Sequence, residues 1–147
     1  MSTEPEKSII HCIRDFIKEC PYLPEFHRSV GVDYLAPDIQ SYMIEAVPCN
    51  PIVKTYISGS IRQYQFNFCS RESYSVDVRD NMENSMFYEH FQEWLEKCSN
   101  SGDLPVLTGG KVAQKIAATT HGYVYDASDQ QMAQYMIQCS LTYFCPY

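Results

Sequence analysis

The sequence predicts an α+β domain: a mainly antiparallel, twisted sheet with long central and C-terminal strands, packed by two helices. Three observations predict it. Ile61 to Ser70 alternates Tyr64, Phe66 and Phe68 with Gln63, Gln65 and Asn67, the period of two of a half-buried strand. Ala133 to Phe144 does the same, with Tyr135, Ile137, Cys139, Leu141 and Tyr143 set against Met136, Gln138, Ser140 and Thr142. Two further stretches, one near the N-terminus and one ending near residue 98, place their apolar residues at helical spacing.

In chain order, Thr3-Glu4-Pro5-Glu6 reads as a helix start, with Thr3 as N-cap, Pro5 in the first turn and Glu6 three residues on. Ile9, Ile13, Phe16, Ile17 and Cys20 then form the apolar stripe, and Pro21 and Pro24 end the helix near Glu19 or Cys20. Ser29 to Leu35 reads as a short strand weakened by Gly31. Ser41 to Val47 is a second, alternating Tyr42, Ile44 and Ala46 with Met43, Glu45 and Val47. Pro48-Cys49-Asn50-Pro51 interrupts it, Ile52 to Ile57 resumes extended structure, and Ser58-Gly59-Ser60 turns into Ile61 to Ser70. The expectation here is a meander of antiparallel strands with short connections.

Phe87, Phe91, Trp94, Leu95 and Cys98 mark the buried stripe of the second helix. Its start is open between Asp77 and a later cap at Asn84 or Ser85, and Gly102 is expected to end it in the left-handed conformation. From Asp77 to Glu96 the helix carries six acidic residues against Arg79 alone. Such a run is a solvated face, or else a surface that repels polyanions or meets a basic partner. Thr108-Gly109-Gly110-Lys111 lacks the spacing of a phosphate loop and reads as a hairpin turn. Ala113 to Thr120 and Gly122 to Tyr125 read as extended, and 126–130 as a polar loop.

The strand 61–70 is expected to carry three rings into the core on one face and its amides, with Arg62, outward on the other. A row of amides is either solvated or the contact surface for another copy of the chain. The 12 tyrosines favour surfaces partly buried against partners.

Composition narrows the function. A chain of 147 residues makes one domain, 1–147, able to bury roughly 70% of its extended surface, and 45% hydrophobic content excludes general disorder. A net charge of −7 without any basic run argues against nucleic-acid binding. No apolar stretch is long enough to span a bilayer, and Met1 to Lys7 does not resemble a signal peptide. The chain is therefore expected in a cytoplasm, without membrane contact. Seven scattered cysteines, none in a C-x-x-C pair, read as small core residues in a reducing compartment, so no metal and no cofactor is expected. The histidines at 11, 27, 90 and 121 stand beside no nucleophile-elbow, H-E-x-x-H or catalytic-cysteine motif, and no catalytic residue is assigned. His121, before Gly122, is the one placed for an unusual role.

Several stretches resemble the tail terminator (collar or neck) proteins of contractile phage tails and phage-tail-like bacteriocins. They are Ile13 to Ile17 with Cys20 to Leu23; Val47 to Pro51; Ser60 to Gln63 leading to Phe66 to Tyr74; Asn81 to Ser85 before Phe87-Tyr88; and the strand containing Gln138-Cys139. The likeness is one of overall pattern over nearly the whole chain. It implies a non-enzymatic structural protein of the virion or tail-like particle, at the top of the tail, assembled in the host cytoplasm. As a homohexameric ring it would cap the tail tube, stop its polymerisation and join it to the sheath's terminal ring and, where a head exists, to neck and head–tail connector proteins. An acidic lumen would let DNA pass without binding. The residues expected at the subunit interface are Arg62, Gln63, Gln65, Asn67, Tyr123 and Tyr125. Another head–tail joining or tail-completion protein, or a small enzyme or ligand-binding domain, would need respectively a different ring position or a concave pocket with convergent polar groups.

Overall fold

The computed structural model describes residues 6–23, 30–37, 41–73, 78–127 and 132–147. Its elements, in order, are α1 (Ile9–Ile17), β1 (Val30–Val32), β2 (Ser41–Val47), β3 (Ile52–Thr55), β4 (Gly59–Ser73), α2 (Val78–Ser101), β5 (Val112–Ala118), β6 (Tyr123–Asp126) and β7 (Met132–Pro146). They build the α+β class expected: one seven-stranded, mostly antiparallel sheet in the order β1-β2-β4-β7-β5, with β3 added to β4 and β6 to β7.

The two long alternating strands are neighbours. β4 and β7, each 15 residues, pair without a bulge from Gly59 opposite Pro146 to Ser73 opposite Met132. Because the register never slips, every even residue of β4 lies on one face and every odd residue on the other. Two interrupted strands flank this pair. β2 and β3 lie end to end along β4, against Gln65–Arg71 and Ser60–Arg62. Pro48 and Pro51, which have no N–H for a ladder, stand in the break between them. Likewise β5 and β6 share β7, broken at Thr119 to Gly122.

The even face of β4 is the core. Phe66 and Phe68 are fully buried, with Tyr42 and Ile44 of β2, Ile137 and Leu141 of β7, and Ile13, Ile17, Phe91 and Leu95 of the helices. Tyr64 sits at the margin of this cluster, partly buried. Five of the seven cysteines (12, 20, 69, 98 and 139) are buried; Cys69 is the one that lies on the odd face of β4, under Leu35 with Met43 and Met136. Burial pushes the Cys69 thiol up to about 12, so it behaves as an apolar filler rather than a thiolate.

Three local expectations change and one open choice is resolved. β1 is only three residues long and runs parallel to β2, so the meander does not include it. Asp33 ends it by turning to φ 59, and the Asp33 N–H donates to the Ile44 carbonyl across the strand end (3.0 Å). α1 starts at Ile9, with Ser8 as N-cap accepting from the His11 N–H. Thr3 lies outside the described residues, but Lys7 cannot be helical, because its N–H and carbonyl both bond the Thr108 hydroxyl (3.0 and 3.1 Å). α2 takes the earlier of its possible starts: Asp77 lies outside the described residues, and Asn84 and Ser85 are interior. Asn84 is spent across the core instead, donating to the Ser73 carbonyl (2.7 Å) and the Tyr135 hydroxyl (3.3 Å). The Gly109-Gly110 turn has positive φ at both residues, but 104–107 is not a strand, so the turn joins a loop to β5 rather than closing a hairpin.

α2 ends as expected. Gly102 has φ 81, and the Asp103 N–H reaches the Cys98 carbonyl (2.9 Å), a Schellman closure. Gly122 has a different reason to be glycine: an added Cβ would collide with Cβ and Cγ of Tyr88, which is buried and cannot swing away. Gly122→Ala is expected to cost about 1–3 kcal/mol by overpacking. Urea denaturation would check this, and an unchanged midpoint would show that the β5–β6 link yields.

Candidate functional site

With both helices on the even face, the opposite face of the sheet is open along its middle. Gln63, Gln65 and Asn67 of β4 stand beside Thr142, Ser140 and Gln138 of β7, and Val47 and Glu45 of β2 flank Gln65 and Asn67. One row runs across four strands. Asn67 Nδ2 donates to Glu45 Oε1 (3.2 Å), Gln138 lies opposite Asn67, and Gln138 Nε2 donates to the Tyr123 hydroxyl on β6 (3.3 Å). The Tyr123 hydroxyl in turn meets Met136 Sδ at 3.2 Å.

The row has one gap. Asn67 is buried, and its Oδ1 has no hydrogen-bond partner. An unmet buried acceptor costs about 1–3 kcal/mol, and this one is shielded from solvent beneath the face, so the cost falls on the folded chain. At one end the face is closed by Leu35, which packs on Met43, Cys69 and Met136, and by the Ala36 carbonyl, which accepts from Arg71 Nε (3.0 Å). Towards the β3 end, Gln63 Nε2 donates to the Asn50 carbonyl (2.8 Å), which ties the strand break to β4.

The expected interface residues divide. Gln63, Gln65, Asn67 and Tyr123 belong to the open face. Tyr125 sits in the β-bulge between Val124 and Asp126 and is exposed. Arg62 is a correction: it is an even residue and lies with the rings, not with the amides. Its Nε donates to Ser60 Oγ, two residues away on the same face (3.0 Å), and it pairs across to Tyr143. Unbroken alternation dictates this placement.

The lateral sides of the sheet are exposed as well. All four residues of β3 and all four of β6 are exposed. The outer edge of β5 is better protected. Ser99 of α2 donates its hydroxyl to the Ile116 carbonyl and accepts from the Ile116 N–H (2.5 and 2.9 Å), which is the helix cover that blunts an edge.

The described histidines stand apart. His11 faces Asp15 (3.6 Å), and His90 faces Glu93 (3.9 Å) and stacks on Tyr22 at 4.8 Å. His121 is exposed between β5 and β6, and His27 lies outside the described residues. Among the described residues no three His, Cys, Asp or Glu side chains come together as a metal set. The concavities are open grooves, such as one of about 290 Å³ between α2 and β5 lined by Gln92, Glu96, Ser99, Asn100 and Lys115.

One polar group was not foreseen. Glu72 lies on the core face near the end of β4, buried, with Ser70 and Tyr88 hydrogen-bonded to each other beside it (2.6 Å). Burial pushes its carboxyl up to about 7, and the Ser70 hydroxyl offsets part of that rise. The signal was present in the alternation: carrying the even phase two residues past Ser70 puts Glu72 on the side of Phe66 and Phe68.

No protein-family model matches the chain, and no curated protein matches it in sequence.

Proposed function

We propose that this chain is a structural subunit of a phage tail or tail-like particle, a terminator that forms a closed ring on the tail tube and performs no catalysis. The observation that carries the reading is that β3 and β6, the two strands exposed at every residue, lie on opposite sides of one sheet. A subunit with different sticky surfaces on opposite sides associates head to tail, and the association ends when the rotation closes. The pattern likeness to tail terminators points the same way. The open amide face, with Gln63, Gln65, Gln138 and Ser140 reaching solvent, is suited to a polar protein contact: tube, sheath or neck component. The net charge of −7 per copy suits a channel that DNA crosses without sticking.

The test is assembly of tails with Gln65→Glu and Ser140→Glu, adjacent residues on β4 and β7 of the open face. The altered chain is expected to fold normally and to give overlong or unstable tubes by electron microscopy. Tails of normal length would exclude that face as a contact. A compact monomer found at no position in purified particles would sink the terminator reading itself.

A further inference from the structure

The charge of this acidic chain is unevenly spread. Between Glu45 and Glu72 there is no Asp or Glu, only Lys54, Arg62 and Arg71. The β3–β4 hairpin projects from this segment. Its two-residue turn, Ile57-Ser58, is closed by the Tyr56 N–H on the Gly59 carbonyl (2.7 Å) and the reverse bond (3.4 Å), and the Tyr147 N–H braces Ser58 (3.2 Å). Ile57 is wholly exposed, at 101%, and Val53 (57%), Tyr56 (43%) and Ile52 (42%) stand exposed beside it. Single exposed apolar residues are ordinary; a contiguous finger of them marks a contact. Lys54 Nζ sits 5.1 Å from the Tyr56 ring centroid, so the finger carries a cation on its aromatic side.

α2 has the complementary character. Its sequence holds Asp80, Glu83, Glu89, Glu93 and Glu96 against Arg79 and Lys97. On its outward side the exposed Met82 and Met86 stand one turn apart, with exposed Glu89 and Glu93 continuing the same face at i+3 and i+7 from Met86. The helix packs beside β5, on the other side of the sheet from β3. A hairpin therefore cannot reach the α2 of its own chain, but it can reach that of another.

We propose that the β3–β4 hairpin of one copy docks on the outward face of α2 in a second copy. Ile57 and Tyr56 cover Met82 and Met86, and Lys54 meets the carboxylates of Glu89 and Glu93. The contact leaves each copy with a hairpin on one side and a helix face on the other, so it repeats from copy to copy. It keeps the β3 side of the ring of the preceding section, gives it α2 rather than β6 as its seat in the next copy, and rests on that reading.

The experiment measures the mass of the full chain by sedimentation velocity over rising concentration, at low and high salt. Wild type is expected to form a defined oligomer that weakens with salt. Ile57→Asp, Lys54→Glu, and Glu89→Lys with Glu93→Lys change only exposed side chains. Each is expected to keep the wild-type circular dichroism and to associate at least about tenfold more weakly. Mixing the Lys54→Glu chain with the Glu89→Lys, Glu93→Lys chain is expected to restore assembly, since every contact then joins opposite charges again. Undiminished assembly of Ile57→Asp would overturn the hairpin contact and leave the ring standing. Weak singles with no rescue on mixing would overturn the pairing with α2. A wild type that is monomeric at every concentration and forms no ring on tail tubes would overturn both.

Discussion

Replacing Phe68 by alanine is expected to lower the unfolding free energy by about 3–5 kcal/mol, the range for truncating a large aromatic side chain in a packed core. Phe68 is the hub of the aromatic cluster that joins sheet to helix. Its ring stacks on Phe91 of α2 at 4.5 Å and on Tyr42 of β2 at 5.7 Å, with Tyr88 at 6.2 Å and Phe87 at 6.4 Å. The ring is fully buried, and its neighbours come from β2 and from two adjacent turns of α2, so a collapse that fills the cavity would have to move a strand and a helix together. Against a typical total of roughly 5–15 kcal/mol, the loss is a large share of the stability. Urea unfolding followed by circular dichroism and by the fluorescence of the single tryptophan, Trp94, reads it directly, since Trp94 lies 6.0 Å from Phe91 in the same cluster. A loss below about 1 kcal/mol would show that β4 is not anchored through this residue.

The faces of the strands were legible in the sequence because burial enforces the period of two. Tyr42 and Ile44, Phe66 and Phe68, and Ile137 to Tyr143 on β7 all point where alternation puts them. That the two long strands belong to one sheet followed from their matching length and style, and their pairing carries the whole architecture. What was not legible depended on distant groups. The start of α1 is set by Thr108, 101 residues from Lys7, which takes up the Lys7 backbone and leaves Ser8 to cap the helix. The parallel direction of β1 is set by the turn at Asp33 and by β2, and no local pattern announces it. Arg62 is a different case. Its parity places it with the rings, and a charged residue in a core phase is easily read as outward; its length and its position near the end of β4 let it stay half-exposed there. Of the candidate interface, the row of amides was visible in the sequence. Its continuation through Glu45, Gln138 and Tyr123 required the strand order, because those residues come from three other strands.

Glu72 makes stability depend on pH in a direction opposite to that of a salt-bridged carboxylate. Its folded pKa is raised from 4.5 to about 7, chiefly because burial disfavours the charged form. The folded chain therefore holds the Glu72 proton at pH values where the unfolded chain has released it. Stability falls as pH rises wherever the native state binds more protons. The contribution of this group is thus fully present below about pH 4.5, is lost progressively up to about pH 7, and is flat above. A shift of this size corresponds to about 3 kcal/mol at most. Glu72→Gln keeps the shape and the hydrogen-bonding capacity while removing the titration. It is expected to match wild type near pH 4.5 and to be more stable by up to about 3 kcal/mol at pH 8, measured by urea unfolding across that range. The comparison with the variant isolates Glu72 from the other carboxylates, whose titration both chains share. Stability curves that run parallel from pH 4.5 to 8 would show that the carboxyl is solvated in the folded chain. Convergence at low pH with divergence above it would place the proton on Glu72, between the Ser70 hydroxyl and the rings of the core.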